Sequence, residues 1–580
     1  MTKRNKGASP RQPGRGKNKK ILRVIPLGGI GEIGKNMTAV EYGGDIVVVD
    51  CGLKFPEEEM LGIDFVIPDI QYLIENRDKI RGLFLTHGHE DHIGAIPFVL
   101  PRLDVPIYGT PLTIALVEHK ILDARIFYKP RCNTVHAGDT VSAGCFEVSF
   151  IGVGHSIPDS LALVIRTPMG VILHSGDFKL DMTPVGGAER TDLASLAEVG
   201  REGVTLLLSD STNSERQGSA VSESIVGRTF EDIFRRHKDR RIVIAAFASN
   251  LYRASQVFSI AARFNRKALL VGRSMISYVE LATRLGYLDV PDDLIVTSQE
   301  AERLPPNRSI VLTTGSQGEP FSGLVLMSKG EHRQIRLGER DVVVISATPI
   351  PGNEKLVNKT INRLFECGCE VIYERDVAIH ASGHAFRDEQ KLLLCLTKPK
   401  YFMPVHGEYR HLVRHSQLAS EMGVPQRNIF VTHNGDVLEI DHSGKARLGS
   451  RVEAGAVLVD GVMLGEFEGS ILRERKELSE NGILVISIVI DSGYNLISEI
   501  KVDSRGSIYG FEGEDARPEI AAAVERALEN ARSGSFNVPA LQTEIRKRLR
   551  EVIGKNYRAY PGIMPIINTV PPDRKNRRES

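Results

Sequence analysis

The chain has 580 residues, of which 42% are apolar and 25% are charged, and its formal net charge is +1. A chain of this length exceeds a single hydrophobic core, so roughly two to four globular domains are expected. No apolar run is long enough to span a bilayer and the N-terminus does not resemble a secretion signal, which argues against a membrane protein. Six cysteines in so long a chain do not suggest a disulfide framework, so we expect a cytoplasmic protein.

Residues 1–20 carry eight basic residues and no acidic residue. Such a segment cannot bury a core and is predicted to be a disordered basic tail. Its charge could attract polyphosphate without sequence preference or could simply keep the chain in solution, and the segment alone favours neither. Residues 571–580 are also predicted to be disordered.

Residues 21–213 predict the first part of a mixed α/β domain, because short strand patterns are interspersed with helical ones. Helical patterns cover residues 69–79 and 111–122. The predicted strands lie at residues 21–27, 37–42, 45–49, 83–86, 146–151, 161–167, 171–175 and 205–209.

From residue 214 the pattern changes to helices that alternate with short apolar runs, which is typical of buried parallel strands. Helices are predicted at residues 222–237 and 251–264, and strands at residues 241–246, 268–271, 309–313 and 342–346. This pattern predicts a doubly wound domain at residues 214–374. The pattern of the first domain returns at residues 375–452, as expected if the doubly wound domain is inserted into a parent domain.

Residues 453–480 are predicted to be a linker to a small C-terminal α/β domain at residues 481–570. Strands at residues 483–491 and 499–502 precede helices at residues 518–531 and 539–553. A small domain placed after a linker often serves dimerisation.

Three glycines after the first strand, Gly29, Gly31 and Gly34, match the spacing of a dinucleotide-binding fingerprint, and Asp50 follows at a suitable distance. That fingerprint requires a helix between the glycines and the acidic residue, so that pyrophosphate lies at the helix N-terminus. Two predicted strands fill this space instead. We therefore expect a tight loop near a metal site rather than a dinucleotide site.

A dense group of metal-ligating side chains follows the strand predicted at residues 83–86. It comprises His87, His89, Asp91 and His92. Imidazole and carboxylate are ligands that zinc accepts, and the spacing of two residues suits a turn rather than a helix face. Two metal ions need about seven or eight ligands, and three further side chains after predicted strands are candidates: His155, Asp177 and His406.

These residues and their order resemble the metallo-β-lactamase superfamily, with Asp50 at the position of its first motif. In that superfamily two metal ions lie between facing β-sheets. The resemblance implies that one ion is held by His87, His89 and His155. It implies that the other is held by Asp91, His92 and His406. Asp177 would bridge both ions.

Three further motifs resemble those of the β-CASP nucleases within this superfamily. They are centred on Asp210, His384 and His406, and the inserted domain is itself a β-CASP feature. Residues 247–250, 314–318 and 351–354 also look like this family. Residues 27–36 and the C-terminal domain resemble the ribonuclease J family in particular, and the similarity extends from residue 21 to the C-terminus.

The resemblance implies an α/β fold: a metallo-β-lactamase αββα sandwich, an inserted doubly wound β-CASP domain and a small C-terminal α/β domain. It implies two zinc ions per subunit, with manganese as the alternative, and allows a further structural divalent ion. RNA is the expected substrate. The protein is expected to form a homodimer or homotetramer, which could associate with other RNA-degradation proteins. The implied activities are 5′–3′ exoribonuclease action on 5′-monophosphate RNA and endoribonuclease action, in mRNA turnover and in rRNA and mRNA 5′-end maturation.

The implied catalytic residues are His384, Asp210 and Asp91. His384 would protonate the leaving oxygen or stabilise the transition state, and Asp210 would orient a ligand. A pocket for the 5′-phosphate would be formed by Ser249, Asn250, His380, Ala381, Ser382, Gly383 and His384. Small residues there allow backbone amides to approach an anion.

Two other functions use the same residues differently. A β-CASP nuclease that acts on DNA, or an enzyme that acts on a small ester, would keep the metal site and change the substrate. The large insertion, which would cover a groove, disfavours a small ester. A non-catalytic, metal-containing RNA-binding scaffold is disfavoured because it would not need both sets of ligands.

Overall fold

The computed structural model describes residues 21–57, 59–185, 189–350, 352–373, 378–461, 463–465, 469–506, 516–533, 537–558 and 560–570. The predicted tails at residues 1–20 and 571–580 lie outside these residues. The chain divides into two compact units. The first comprises residues 1–55 and 65–459, and the second comprises residues 56–64 and 460–580.

The parent domain contains an eight-stranded sheet. Its central strands are buried and rich in β-branched residues, which suit a pleated surface that is covered on both faces. Two strands from late in the chain complete one edge. Across the sheet the order is Ala446–Leu448, Leu438–Ile440, Leu22–Gly28, Met37–Tyr42, Asp45–Val49, Ile80–Phe84, Ile107–Gly109 and Cys132–Thr134.

A second, six-stranded sheet shows how the chain returns after the insertion. Tyr401–Val405 lies parallel to Val204–Asp210, with Val405 opposite Asp210. Residues almost two hundred positions apart therefore meet at neighbouring strand ends. Across the sheet the order is Tyr401–Val405, Val204–Asp210, Gly170–His174, Leu161–Thr167, Phe146–Gly152 and Thr140–Ala143.

The two sheets pack face to face, and helices cover their outer faces. One buried cluster joins both sheets through residues such as Val24, Phe84, Leu163 and Met403. Helices against the first sheet are Gln71–Glu75, Glu90–Ile93, Ile96–Leu103 and Pro111–Asp123. Helices against the second are Leu193–Glu202, Arg387–Thr397 and Tyr409–Glu421. The predicted αββα sandwich is confirmed.

The inserted domain has a parallel five-stranded sheet. The strand order is Lys267–Val271, Ser309–Thr313, Arg241–Ala245, Asp341–Ile345 and Glu370–Ile372. One face packs on Glu223–Arg236, Leu251–Arg263 and Arg273–Arg284. The other packs on Gly323–Ser328 and Glu354–Glu366. Helices on both faces make the domain doubly wound, as predicted.

Short helical segments occur in both domains. The inserted domain contains the helix Ser298–Arg303 and the 3-10 turn Pro306–Arg308, and the parent domain contains the 3-10 turns Arg77–Lys79 and Gln426–Asn428.

The segment predicted to be a linker, residues 453–480, contains regular structure. Ala456–Asp460 pairs antiparallel with Phe65–Pro68, strand Met463–Gly465 follows, and Gly469–Asn481 is a helix. The polar composition of this helix concealed it, because composition alone does not separate a solvated helix from a linker.

The C-terminal domain is a three-stranded sheet covered by two helices, Arg517–Ser533 and Val538–Tyr557. Its strand order is Lys501–Arg505, Ile483–Ile490 and Gly562–Thr569. No strand was predicted at Gly562–Thr569, which contains Pro565. Proline cannot donate to a ladder, and this strand occupies the edge of the sheet, where a missing donor is tolerated.

Among the described residues, no helix has the length and apolar character needed to cross a membrane.

A buried arginine joins the inserted domain to the chain that returns from it. Arg253 is fully buried, and its guanidinium donates to the Glu223 carboxylate at 2.9 Å and to the Ile379 carbonyl at 2.9 Å. It also contacts the Ser346 hydroxyl, which itself donates to the same carbonyl at 2.5 Å. Lys179 lies 3.7 Å from the other Glu223 oxygen. Five segments of the chain thus meet at one buried ion pair.

Replacing Arg253 with methionine is expected to destabilise the protein by about 3–5 kcal/mol, because it leaves the buried Glu223 carboxylate without its main partner. Thermal melting of the full chain should report the loss as a lower midpoint. The control is Arg263→Met on the same helix, whose guanidinium is 55% exposed and pairs with Glu231. Exposed pairs contribute less than about 1 kcal/mol. Equal midpoints for the two variants would contradict the expectation.

Candidate metal centre

Five strands end at one place, and the candidate ligands follow them. Ile80–Phe84 leads to the loop that carries His87, His89, Asp91 and His92. Phe146–Gly152 leads to His155, Gly170–His174 to Asp177, and Tyr401–Val405 to His406. Asp210 ends the strand Val204–Asp210. The structure brings these side chains together in a mostly buried group, and we call the first seven of them the cluster.

Three imidazoles form the first part of the cluster. His89 Nδ1 lies 3.0 Å from His87 Nε2 and 3.1 Å from His155 Nε2. Ligand atoms around a tetrahedral zinc ion lie about 3.3 Å apart, so these nitrogen atoms fit one ion. Asp177 Oδ2 is 3.7 Å from His87 Nε2 and 3.9 Å from His155 Nε2.

The second part of the cluster combines histidines with a second carboxylate. His406 Nε2 lies 3.1 Å from Asp91 Oδ2 and 3.6 Å from Asp177 Oδ2. His92 Nε2 lies 3.7 Å from Asp91 Oδ2 and 3.2 Å from Asp177 Oδ2. In each part the candidate ligand atoms all lie within 4.8 Å of one another.

Asp177 Oδ2 belongs to both parts of the cluster. It is buried and makes no hydrogen bond to any described residue. A buried, ionised oxygen that accepts no hydrogen bond is costly, and a cation shared by both parts would satisfy it. The residues present therefore fit divalent metal binding. Within the described ranges, every such ligand group involves Asp177.

Hydrogen bonds fix which nitrogen atom of each histidine is free. His155 Nδ1 lies 2.7 Å from the Gly383 carbonyl, and because a carbonyl only accepts, Nδ1 carries the proton. His92 Nδ1 lies 2.8 Å from Asp50 Oδ2, which also accepts from the Thr86 hydroxyl, and the other Asp50 oxygen, Oδ1, accepts from the Thr86 amide. In a neutral imidazole, both arrangements leave Nε2 unprotonated and directed toward the cluster, as a metal ligand requires.

A hydrogen-bond relay orients His406 in the same way. Its Nδ1 lies 2.6 Å from the Thr212 hydroxyl, and that hydroxyl donates to Asp210 Oδ1 at 2.7 Å. The Thr212 amide donates to the same oxygen at 2.9 Å. Asp210 therefore acts on His406 through Thr212, and this relay aims Nε2 of His406 at Asp91.

Asp210 also holds His384, with Oδ2 lying 2.9 Å from His384 Nδ1. Burial opposes the charged form of His384, but Asp210 and Asp177 outweigh it and raise the pKa of His384. The His384 side chain is 22% exposed, whereas Asp210 is 1% exposed. His384 can therefore carry a proton at a position that solvent or substrate reaches.

Burial sets the charge of the first three imidazoles. It lowers the pKa of His89 to about 4 and holds the pKa values of His87 and His155 well below the usual range. Neutral imidazoles are the form that binds metal. Burial alone would raise the pKa of Asp177, but His406 and the other nearby imidazoles lower it, so the carboxylate stays ionised.

The glycine-rich loop lies beside His406, as we expected of residues that only resemble a dinucleotide fingerprint. The His406 amide donates to the Gly29 carbonyl at 3.0 Å, and Ile30–Gly31 pairs in parallel with Gly407–Glu408. Strands Met37–Tyr42 and Asp45–Val49 follow the loop. A Rossmann helix is therefore absent from this described segment.

The residues predicted to form a phosphate pocket occupy two places. Asn250 Oδ1 accepts from the Arg253 amide and caps the helix Leu251–Arg263, and Ser249 precedes it. The others belong to the loop 380–384. Ser382 Oγ accepts from the Asn213 side-chain amide at 2.8 Å and from the His384 amide at 3.1 Å. The remaining loop residues predicted for the pocket are His380, Ala381 and Gly383.

Two features of the loop 380–384 bear on its role at the site. His380 is partly buried, and its buried Nδ1 atom makes no hydrogen bond to any described residue. Burial lowers the pKa of His380 to about 3. A Cβ atom at Gly383 would lie 2.7 Å from His155 Cε1, so only glycine allows the loop to approach this ligand.

Three contributors to the site were not among the predicted site residues: Asp50, Thr86 and Thr212. Asp50 was recognised only as a motif residue. Thr212 had a local signal, since an aspartate side chain commonly accepts a hydrogen bond from the backbone amide two residues on, which here belongs to Thr212. Its contact with His406 depends on the return of the chain, which no local pattern reveals.

Four family models match the chain in order. Residues 30–209 match the model described as metallo-beta-lactamase superfamily, and residues 239–364 match ribonuclease J, beta-CASP domain. Residues 370–431 match the Zn-dependent metallo-hydrolase RNA specificity domain, and residues 470–570 match the ribonuclease J C-terminal domain.

Whole-chain relatives agree with these matches. Ribonuclease J of Synechocystis sp. is 41% identical over 562 residues, which cover 95% of this chain and 87% of that protein. Ribonuclease J2 of Bacillus subtilis is 39% identical, covering 96% of this chain and all (100%) of that protein. A crystal structure of a protein of unknown function from Enterococcus faecalis shares the fold, with a TM-score of 0.52 at 17% identity over 72% of this chain and 100% of that one. The chain therefore belongs to the ribonuclease J family of metal-dependent nucleases.

Proposed function

We propose that this protein is a two-metal ribonuclease that degrades RNA in the 5′ to 3′ direction, prefers a 5′-monophosphate end and also cleaves RNA internally. It would act in the cytoplasm, in mRNA turnover and in maturation of rRNA and mRNA 5′ ends. The observation that carries the proposal is Asp177 Oδ2, the buried oxygen shared by two groups of ligand atoms. A ligand shared in this way would hold two divalent ions close enough to act on one phosphate.

Zinc is the metal that the donor atoms favour. The first group offers three imidazoles and one carboxylate, a set suited to a borderline cation. The second offers two imidazoles and two carboxylates, which manganese also accepts. We propose two zinc ions per subunit, with His87, His89 and His155 on one and Asp91, His92 and His406 on the other.

When bound, two divalent ions would lower the pKa of a bound water molecule toward neutral pH. They would also neutralise charge on the phosphate oxygens. The residues of the chain supply orientation and a proton. Asp50 and Gly383 hold His92 and His155 with Nε2 toward the cluster. Because Asp210 accepts from His384 Nδ1, the protonated His384 is held in place to give a proton to the leaving oxygen.

The 5′-phosphate pocket is supported by the topology of the inserted domain. From Arg241–Ala245 the chain crosses to one side of the sheet, and from the adjacent strand Asp341–Ile345 it crosses to the other. Ligands of open parallel sheets bind outside the carboxyl ends of strands at such a switch point. Ser249 and Asn250 follow the first strand, and Arg253 and Ser346 hold the start of the loop 379–384 near the second.

The proposed assembly is supported by family membership rather than by the site. We propose that the protein forms a homodimer or homotetramer through the small C-terminal domain and associates with other RNA-degradation proteins. Light scattering of the purified full chain would test the assembly, and a monomer at micromolar concentration would overturn it.

The central experiment compares substrates and ends. The protein is incubated with 5′-monophosphate, 5′-triphosphate and 5′-hydroxyl RNA and with matching DNA, in zinc or manganese. Mononucleotide release that is fastest from 5′-monophosphate RNA is expected. Equal cleavage of RNA and DNA would favour the β-CASP DNA nuclease. RNA binding without cleavage, or activity that survives in the Asp91→Ala/His92→Ala variant, would overturn the proposed mechanism.

Replacing Ser382 with alanine is expected to slow release from 5′-monophosphate RNA by about ten- to a hundredfold, the usual effect of losing one hydrogen bond to a charged group. Internal cleavage of a circular RNA should fall much less. Because Ser382 also accepts from the His384 amide, an equal fall in both activities would mean that Ser382 only positions His384. The pocket assignment would then be wrong.

A further inference from the structure

Two exposed aromatic rings lie against each other outside the cluster. Tyr409 is 50% exposed and the His433 side chain is 65% exposed. Their ring centroids are 5.6 Å apart and the planes are inclined by 22°. This is an offset stack within the usual range of aromatic pairs. We call these two residues the aromatic pair.

The aromatic pair is held at a fixed place relative to the cluster. Tyr409 follows the ligand candidate His406 by three residues and begins the helix Tyr409–Glu421. His433 precedes Asn434, whose side-chain oxygen accepts from the Ile30 amide at 3.1 Å and whose side-chain amide donates to Glu32 at 2.8 Å. Both rings are thus tied to the glycine-rich loop that also holds the His406 backbone.

The charges around the aromatic pair are largely balanced. Arg410 is 51% exposed and pairs with Glu408 and Glu215. Arg451 is 64% exposed and pairs with Asp436. This surface therefore offers flat rings more than unpaired positive charge. Such a surface suits a nucleobase, since every base has a π-face, better than it suits a run of phosphates.

We propose that the aromatic pair is a stacking platform for one base of the RNA strand near the bond that is cleaved. The proposal rests on the proposed ribonuclease function, because it requires an RNA strand at the cluster. A platform that stacks bases without hydrogen-bonding to their edges tolerates any sequence, as an enzyme that advances along RNA requires. It would also hold the strand in register while the scissile phosphate reaches the cluster.

The experiment uses the full-length, metal-loaded protein and a series of RNAs that each lack one base. In the wild type, removing the base at one position is expected to lower kcat/KM by about tenfold. In Tyr409→Ala, intact RNA should already be cleaved about tenfold more slowly, and the same base removal should have no further effect. Tyr409→Phe should restore wild-type behaviour, because it keeps the ring.

Controls separate the platform from the catalytic centre. The metal content per chain should be unchanged in Tyr409→Ala. Phe365→Ala, at a ring that is 51% exposed in the inserted domain, should cleave every RNA as the wild type does. His433→Ala provides a second test and should weaken the effect of base removal in the same way.

Two results would overturn the platform while leaving the ribonuclease proposal intact. One is Tyr409→Ala cleaving intact RNA at the wild-type rate. The other is a full, additive effect of base removal in Tyr409→Ala. A wild-type protein that cleaves no RNA would instead overturn the proposed function, and the platform with it.

Discussion

Replacing Asp177 with asparagine is expected to lower kcat/KM for RNA cleavage by more than about 10³-fold and to reduce the bound metal per chain. The asparagine keeps the shape of the side chain but removes the negative charge. Asp177 Oδ2 lies 3.7 Å from His87 Nε2 in the first part of the cluster and 3.2 Å from His92 Nε2 in the second, so the substitution changes both groups of ligand atoms at once. Loss of one shared carboxylate should therefore cost more than loss of one histidine.

Elemental analysis of the purified variant gives the metal content, and kcat/KM is measured on 5′-monophosphate RNA. The matched control is Asp388→Asn in the same parent domain, whose carboxylate is 55% exposed and pairs with Lys391. That variant should keep its metal and its activity. Full metal content and near-wild-type cleavage in Asp177→Asn would show that the oxygen is not shared between two ions.

The strands of the parent domain could be predicted from the sequence where short runs are rich in apolar and β-branched residues. Met37–Tyr42, Asp45–Val49 and Leu161–Thr167 have the predicted bounds, because each is a buried, β-branched run closed by turn residues. The helix Gly469–Asn481 and the strand Gly562–Thr569 could not be read in this way. One is too polar and the other contains a proline, so neighbouring segments rather than local pattern must stabilise them.

The same distinction between local sequence patterns and tertiary contacts applies to the site. The candidate ligands His87, His89, Asp91 and His92 are visible because four donors fall within six positions after a strand. The link between Thr212 and His406 spans 194 residues and exists only because Tyr401–Val405 pairs with Val204–Asp210. Local sequence patterns therefore indicate which residues supply the candidate ligand atoms. The hydrogen bonds that aim them arise from tertiary structure, which a single sequence does not display.

Replacing His384 with alanine is expected to lower kcat for RNA cleavage by about 10²–10⁴-fold, the usual contribution of a general acid. The leaving oxygen of RNA needs a proton, whereas a p-nitrophenolate leaving group does not. The same variant should therefore hydrolyse a p-nitrophenyl phosphodiester at nearly the wild-type rate. His136→Ala, at an exposed histidine of the parent domain, should affect neither substrate.

The geometry also raises a competing role for His384. Asp177, Asp210, His384 and His406 form a third group of donor atoms within 4.8 Å of one another, so His384 could instead hold a metal ion. A lost ligand would lower the metal content and slow both substrates equally. A lost general acid would leave the metal content unchanged and slow RNA alone. Asp210→Asn should follow His384→Ala in its preference for the p-nitrophenyl substrate, because Asp210 holds His384 Nδ1 at 2.9 Å.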